Sequence, residues 1–292
     1  MSNKIHFIGI GAHKSGTSWL YERLREIDDF HLPPIKELHY FDKKYKLKNI
    51  HYFNRLESFH SLFFSLYHCA RNYSNLSWFF KWFYKTYSDS WYRSLFSSKK
   101  IQGEITPAYS TLNEHEIERL KSIANPEKIL LIIRNPIQRV WSHYQYFCQR
   151  GKIRHKNNTE DIKEFILSDV QTSRSDYLKI IEKYRSFFDD KNIYIMFYDS
   201  ILEQPEALIT DLLKVFGIEK HQISNCNYNK INNSSKSIKV SKNISKFIAK
   251  LYAKDISTLA EKIGSYCKIW NNENIKKSEL WNIKSLKQIS YD

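Results

Sequence analysis

Phe7-Ile8-Gly9-Ile10-Gly11-Ala12-His13-Lys14-Ser15-Gly16-Thr17-Ser18-Trp19-Leu20 is an apolar run that breaks into a glycine-bearing turn and reopens with helical periodicity. It reads as a strand over Lys4 to Gly9, an anion-facing turn, and a helix over Thr17 to Ile27. Gly11 and Gly16 keep the GxxxxG spacing of a phosphate-binding loop, after which Lys and then Ser or Thr should follow. Here Thr17 and Ser18 follow, and the lysine lies inside the loop at Lys14. In nucleoside triphosphatases the lysine after the second glycine reaches the β- and γ-phosphates, and the hydroxyl beside it binds magnesium. The altered order keeps backbone N–H groups and a helix N-terminus for an anion, with Ser15, Thr17 and Ser18 adding hydroxyls. It reads as an anion cradle that is not built for ATP and metal.

Outward from this junction, β-branched runs alternate with helical periods, which predicts parallel βαβ units. Lys128 to Ile133 is a nearly unbroken apolar run, expected as a central strand buried on both faces. After it, Asn135 can cap and Pro136 can open a helix reaching about Gln149. Asn192 to Phe197 reads as a further buried strand, and Leu202 to Phe216 as one helix closed by Gly217. The expected fold class is α/β: a P-loop-like, open parallel β-sheet flanked by helices, in a single domain over residues 1–292.

Two regions interrupt the alternation. Phe59 to Phe96 holds fifteen aromatic residues in thirty-eight, broken by Arg71, Asn72, Asn75 and Lys81, and so is no membrane span. It reads as an aromatic-rich helical insertion at about 55–98, either a cap on the core or a surface for substrate or lipid. Asn225 to Ser245, rich in Asn, Ser and Lys, reads as a basic mobile loop. The net charge of +15 and pI near 9.4 favour anionic partners: nucleic acid, an anionic membrane surface or acidic small molecules. Cys69, Cys148, Cys226 and Cys267 form no CxxC pair, which argues against zinc and a disulfide framework and fits a reducing compartment. Met1-Ser2-Asn3-Lys4 runs directly into the first strand, so no leader or anchor is expected, and the location is read as cytoplasmic.

Three more segments carry chemistry. Lys36-Glu37-Leu38-His39-Tyr40-Phe41-Asp42 places two carboxylates and an imidazole within six residues. In an extended segment Glu37 and His39 would share a side, because strand side chains alternate. Gly103-Glu104-Ile105-Thr106-Pro107-Ala108-Tyr109 follows, with Glu104 read as structural or supporting. In Arg134-Asn135-Pro136-Ile137-Gln138-Arg139-Val140-Trp141-Ser142, an arginine stands at a strand's C-terminal end, where ligands bind in open α/β sheets. Arg134 and Ser142 are therefore candidates for a second phosphate.

Together these segments resemble the sulfotransferases that use 3′-phosphoadenosine 5′-phosphosulfate (PAPS), over roughly residues 5 to 217. The loop His13-Lys14-Ser15-Gly16-Thr17-Ser18 is similar to the family's 5′-phosphosulfate loop, and Arg134 with Ser142 to its 3′-phosphate motif. Lys36 to Asp42 and Gly103 to Tyr109 resemble the heparan sulfate and bacterial carbohydrate branch, although several glycan enzymes carry a lysine where Ile105 stands. The resemblance implies that Glu37 is the general base, with His39 and Asp42 its neighbours, and that Lys14 lies beside the transferring sulfuryl group. It also implies a cofactor-covering loop after the last sheet strand, where Lys236 is the candidate that closes on the ligand. The expected activity is sulfuryl transfer from PAPS, without metal, to a hydroxyl or amine of a small-molecule or glycan acceptor. No specific nucleic acid is expected, while peripheral contact with an anionic membrane is. A P-loop-type small-molecule kinase and a basic, non-enzymatic nucleic-acid or membrane binder remain as alternatives.

Overall fold

A computed structural model describes residues 4–43, 76–84, 87–153, 159–219 and 240–291. Its sheet contains β1 (Phe7–Gly11), β2 (Phe30–His31), β3 (Ile101–Ile105), β4 (Lys128–Ile133), β5 (Ile193–Phe197) and β6 (Ile283–Ser285). The order is β2-β3-β1-β4-β5-β6; the first five run parallel and β6 closes the edge antiparallel to β5. This is the open, mostly parallel α/β sheet that the alternating pattern predicts. The first ladder begins at Phe7 rather than Lys4. His6 nonetheless bonds through its amide to the Gln102 carbonyl at 2.7 Å, and through its carbonyl to the Lys128 amide at 3.0 Å.

Helices cover both faces: α1 (Thr17–Arg25), α2 (Tyr40–Lys43), α3 (Leu76–Tyr84), α4 (Asp89–Ser94), α5 (Glu114–Ala124), α6 (Pro136–Gln149), α7 (Thr159–Leu167), α8 (Asp169–Ser173), α9 (Tyr177–Arg185), α10 (Tyr198–Glu203), α11 (Pro205–Val215) and α12 (Lys242–Lys262). Alternation along β4 sorts the core into two layers. Ile129, Leu131 and Ile133 face a cluster that includes Ile117, Val140, Ile180 and Ile248, from α5, α6, α9 and α12. Leu130 and Ile132 face Leu20 and Leu24 of α1 and Leu208 and Leu212 of α11. Burial on both faces is why this strand could dispense with polar residues.

The local signals differ from the structure at three further places. The helix expected to Ile27 ends at Arg25, where Glu26 caps it. The single helix expected over Leu202 to Phe216 is two, α10 and α11, broken at Gln204 (φ −141°, ψ 51°). The cause is Pro205, whose ring excludes the residue before it from the helical region. The expected loop over Asn225 to Ser245 ends early, because the Ser241 side chain caps α12 at the Ile244 amide and Lys242 to Ser245 are helical. Residues 225–239, Lys236 among them, lie outside the described residues. So does most of the expected insertion; its described parts are α3, α4 and their flanks. There Trp78, Phe79, Trp91, Tyr92 and Phe96 join the same buried cluster as Ile8 and Ile10. Among the described residues no helix is long and apolar enough to cross a membrane.

Candidate active site

The C-terminal end of β1 turns into α1 through a loop that the sequence makes tight. Lys14 takes a left-handed conformation (φ 64°), as does Gly16 (φ 91°) at the helix N-cap. The left-handed conformation favours glycine there, and a Cβ on Gly16 would also press on the end of the Ile201 side chain. Among the described residues no side chain caps α1, and no acidic residue stands in its first turn. Its N-terminal N–H groups and positive dipole end are therefore left for an external anion.

This loop forms one wall of a cleft of about 1060 Å³. His13, Lys14, Gly16, Thr17, Ser18, Glu37, Arg134 and Ser142 line it, so eight positions singled out in the sequence converge here. Ser15 is fully buried beneath the loop, and His39 stands behind Glu37 rather than in the lining. Arg134 follows β4. Its Nη1 donates to the Lys14 carbonyl at 2.9 Å and its guanidinium lies 4.1 Å from the Tyr198 ring centre. Asn135 accepts from the Ile137 amide at 3.0 Å and Pro136 fills the first turn, which starts α6 and sets Ser142 two turns along it.

The Glu37 segment departs from the extended form expected for it. Glu37 (φ 65°) and His39 (φ 54°) are both left-handed. The two side chains still meet, with His39 Nε2 3.5 Å from Glu37 Oε2, while His39 Nδ1 is 2.7 Å from Asp42 Oδ2. Distant groups hold this turn. The Tyr40 amide donates to Tyr109 Oη at 2.9 Å, and Tyr87 Oη donates to the His39 carbonyl at 3.4 Å. Glu104 is fully buried and accepts from Tyr92, Thr106 and Tyr109 at 2.6, 2.7 and 3.1 Å, which gives it a structural place behind the cleft.

Electrostatically the cleft is short of negative charge. Among the described residues lining it Glu37 is the sole carboxylate, and Lys36 is paired with it. Burial alone would raise the Glu37 carboxyl, but the His39 hydrogen bond and the Lys36 ammonium outweigh burial and hold it at about 2. Lys14 is pushed the other way: burial, then Arg134 and Lys36, depress its ammonium below the usual lysine range. Burial also keeps His13 neutral, with a pKa lowered to about 2. Among the described residues, two buried nitrogens, His13 Nδ1 and Arg134 Nε, have no hydrogen-bond partner. Unmet buried polar groups are costly, and both residues line the cleft.

Several lining residues carried no signal in the sequence: Trp19, Trp141, His143, Tyr146 and Tyr198. Tyr146 lies four residues after Ser142, itself four after Gln138, and all three line the cleft from α6, a spacing that could have flagged Tyr146.

The sulfotransferase domain family matches residues 4–279 of this chain. A search of curated proteins gives no match. Among solved structures, a sulfotransferase from Alicyclobacillus acidocaldarius superposes with a TM-score of 0.61 at 15% identity, over 93% of this chain and 97% of its own. The sulfotransferase domain from the curacin biosynthetic pathway gives 0.49 at 13% identity, over 85% and 96%. A mouse sulfotransferase complexed with PAP gives 0.44 at 14% identity, over 99% and 74%. At such identities these likenesses concern the fold.

Proposed function

The chain belongs to the sulfotransferase domain family, and on that footing we propose that it moves the sulfuryl group of PAPS to a hydroxyl or amine of a carbohydrate or glycoconjugate, with Glu37 as base. The observation that carries this reading is the convergence of the Lys14 loop, Glu37 and the Arg134–Ser142 pair on one cleft. PAPS, when bound, supplies an activated sulfuryl group on a bisphosphate leaving group. The residues present suit it: among the described residues the helix N-terminus has no side-chain cap, Arg134 Nε and His13 Nδ1 have no hydrogen-bond partner, and the lining is cationic.

In this reading Lys14 and the first turn of α1 hold the 5′ end, and Arg134 with Ser142 holds the 3′-phosphate. Lys14 stabilises charge that grows as the bridging oxygen leaves, which is a contribution to the transition state. Glu37 is ionised and accepts the acceptor's proton. A carboxylate held at about 2 is a weak base, and Lys36 is one reason for it. Lys36 lines the same cleft, so an anion there competes for its ammonium. As Lys36 moves off Glu37, one of the two influences that hold the carboxyl down is lost and its affinity for a proton rises, with the His39 hydrogen bond still opposing burial. His39, bridging Glu37 and Asp42, holds the carboxylate in place.

The test is transfer from radiolabelled PAPS to a panel of glycans, glycolipids and phenols. Label on the sugars is expected. Label on phenols alone would overturn the acceptor class, and magnesium-ATP turnover without sulfuryl transfer would restore the kinase alternative.

A further inference from the structure

Lys14 has its backbone and its side chain held by different elements. Arg134 Nη1 fixes the Lys14 carbonyl from the end of β4, at 2.9 Å. The ammonium reaches instead toward α6, where Nζ lies 4.6 Å from the centre of the Tyr146 ring. Both residues line the cleft, and Tyr146 stands about one turn beyond Ser142 on the same helix. The ring is itself seated. The His143 imidazole lies nearly parallel to it, 6.3 Å between centres, and Phe147 meets it edge-on at 6.2 Å.

Among the described residues no carboxylate pairs with Lys14. Its charged neighbours are cations: Arg134 at the end of β4 and Lys36 beside Glu37. Farther along α6, Arg150 Cζ lies 5.5 Å from the centre of the same Tyr146 ring. The imidazoles of His13 and His143 are neutral, and Glu37 is engaged by Lys36 and His39. Burial adds to the repulsion from these cations, and an ammonium so placed is under pressure to lose its proton. The face of an aromatic ring is negative and attracts a cation. Unlike a carboxylate, it carries no net charge, so the full positive charge of Lys14 is kept for an incoming anion.

We infer that Tyr146 is a positioning residue for sulfuryl transfer: its ring face holds the Lys14 ammonium, charged, in the cleft where the leaving group gains negative charge. The inference rests on the transferase reading above, which assigns that stabilisation to Lys14. The ring face does this work and the phenol hydroxyl does not. Phenylalanine offers a similar face, whereas leucine is apolar and offers none.

The experiment compares wild type, Tyr146→Phe and Tyr146→Leu, each as the full chain, in two readouts. The first needs no donor. Competitive acetylation with acetic anhydride, read at the Lys14 peptide by mass spectrometry across pH, titrates that ammonium in the free protein. Tyr146→Leu is expected to lower the Lys14 midpoint by about half a pH unit or more, and Tyr146→Phe to restore it. The second readout is transfer of label from PAPS. Tyr146→Leu should lower kcat about threefold or more with KM for PAPS little changed, and Tyr146→Phe should recover most of that loss. The alkaline limb of the kcat profile should move to lower pH together with the Lys14 midpoint. An unmoved midpoint in Tyr146→Leu overturns the inference. So does a loss in Tyr146→Phe as large as in Tyr146→Leu, which would assign the effect to the hydroxyl. Should Tyr146→Leu fail to fold, replacing Tyr146 by a trifluorinated phenylalanine keeps the ring's shape and weakens its negative face. A Lys14 midpoint then equal to that of Tyr146→Phe overturns the inference instead. A wild-type protein that transfers no label overturns the transferase reading and Tyr146's part in it, whatever the midpoints. One that transfers label while its Lys14 midpoint ignores the ring overturns the inference alone.

Discussion

Glu37 sits in a left-handed turn between an ammonium and an imidazole, and its ionisation follows from that setting. Glu37→Gln keeps the shape and removes the proton acceptor. Turnover is expected to fall by about 10²–10⁴-fold, the usual share of a positioned base, while bisphosphate affinity measured by calorimetry stays the same. The carboxyl's native pKa, about 2, lies below its ordinary 4.5. Its stabilising contribution is therefore present above the ordinary value and is lost as pH falls toward the native one. The gap in melting temperature between wild type and Glu37→Gln should accordingly narrow as pH drops through that window. Arg134 makes a different claim, because its guanidinium supports the Lys14 carbonyl and also carries an unpartnered Nε. Arg134→Ala should weaken the 3′,5′-bisphosphate by the loss of charged hydrogen bonds of about 1.5–3 kcal/mol each, and adenosine 5′-phosphosulfate much less. Equal losses in calorimetry would mean that Arg134 acts only by holding the loop.

At the scale of elements, the turn that carries Glu37 is tied to the sheet through Glu104. This β3 residue accepts three hydroxyls, and one of them, Tyr109 Oη, in turn accepts the Tyr40 amide at the start of α2. Desolvation raises the Glu104 carboxyl, and the three hydrogen bonds oppose it. Glu104→Ala strands three buried hydroxyls. Destabilisation on the order of 3 kcal/mol or more is expected in denaturant melts, since each unsatisfied group costs about 1–3 kcal/mol. Glu104→Gln should recover much of it, because the amide oxygen still accepts from Tyr92 and Tyr109 and the Thr106 hydroxyl can accept from the amide nitrogen. Activity of Glu104→Gln at normal stability would show that its charge is not needed for transfer. The Gly103 to Tyr109 motif was visible as a string of residues. Its function as a brace on α2 was not, because Tyr92, Glu104 and Tyr40 lie on three different elements.

Across the whole molecule, the charge of +15 has a kinetic consequence. A cleft whose lining carries Lys14, Lys36 and Arg134 against one carboxylate attracts a highly anionic ligand from a distance. Salt screens such attraction over roughly 10 Å at 0.1 M. The association rate of the bisphosphate, followed by the fluorescence of Trp19 and Trp141 in the cleft wall, should fall steeply as salt rises. The dissociation rate should change less, because contacts made inside the cleft are screened less. A salt-independent association rate would count against steering by the cleft.

Features that depend on a few neighbouring residues were legible in the sequence. The GxxxxG loop, the Asn135–Pro136 start of α6 and the apolar run of β4 are each set by spacing within one turn or one strand. Together they placed Lys14 and Arg134 just beyond strand ends and Ser142 on the helix that follows β4. Tertiary structure decided what depends on partners far along the chain. Glu37 and His39 are left-handed because Tyr109 and Tyr87 hold the turn from 69 and 48 residues away. His143 is held neutral by burial, and its Nδ1 is fixed against the Gln171 side chain, 28 residues on, at 2.9 Å. Written in a helix, such a histidine looks the same whether it faces water or a buried glutamine. Only the packing of α8 against α6 distinguishes the two.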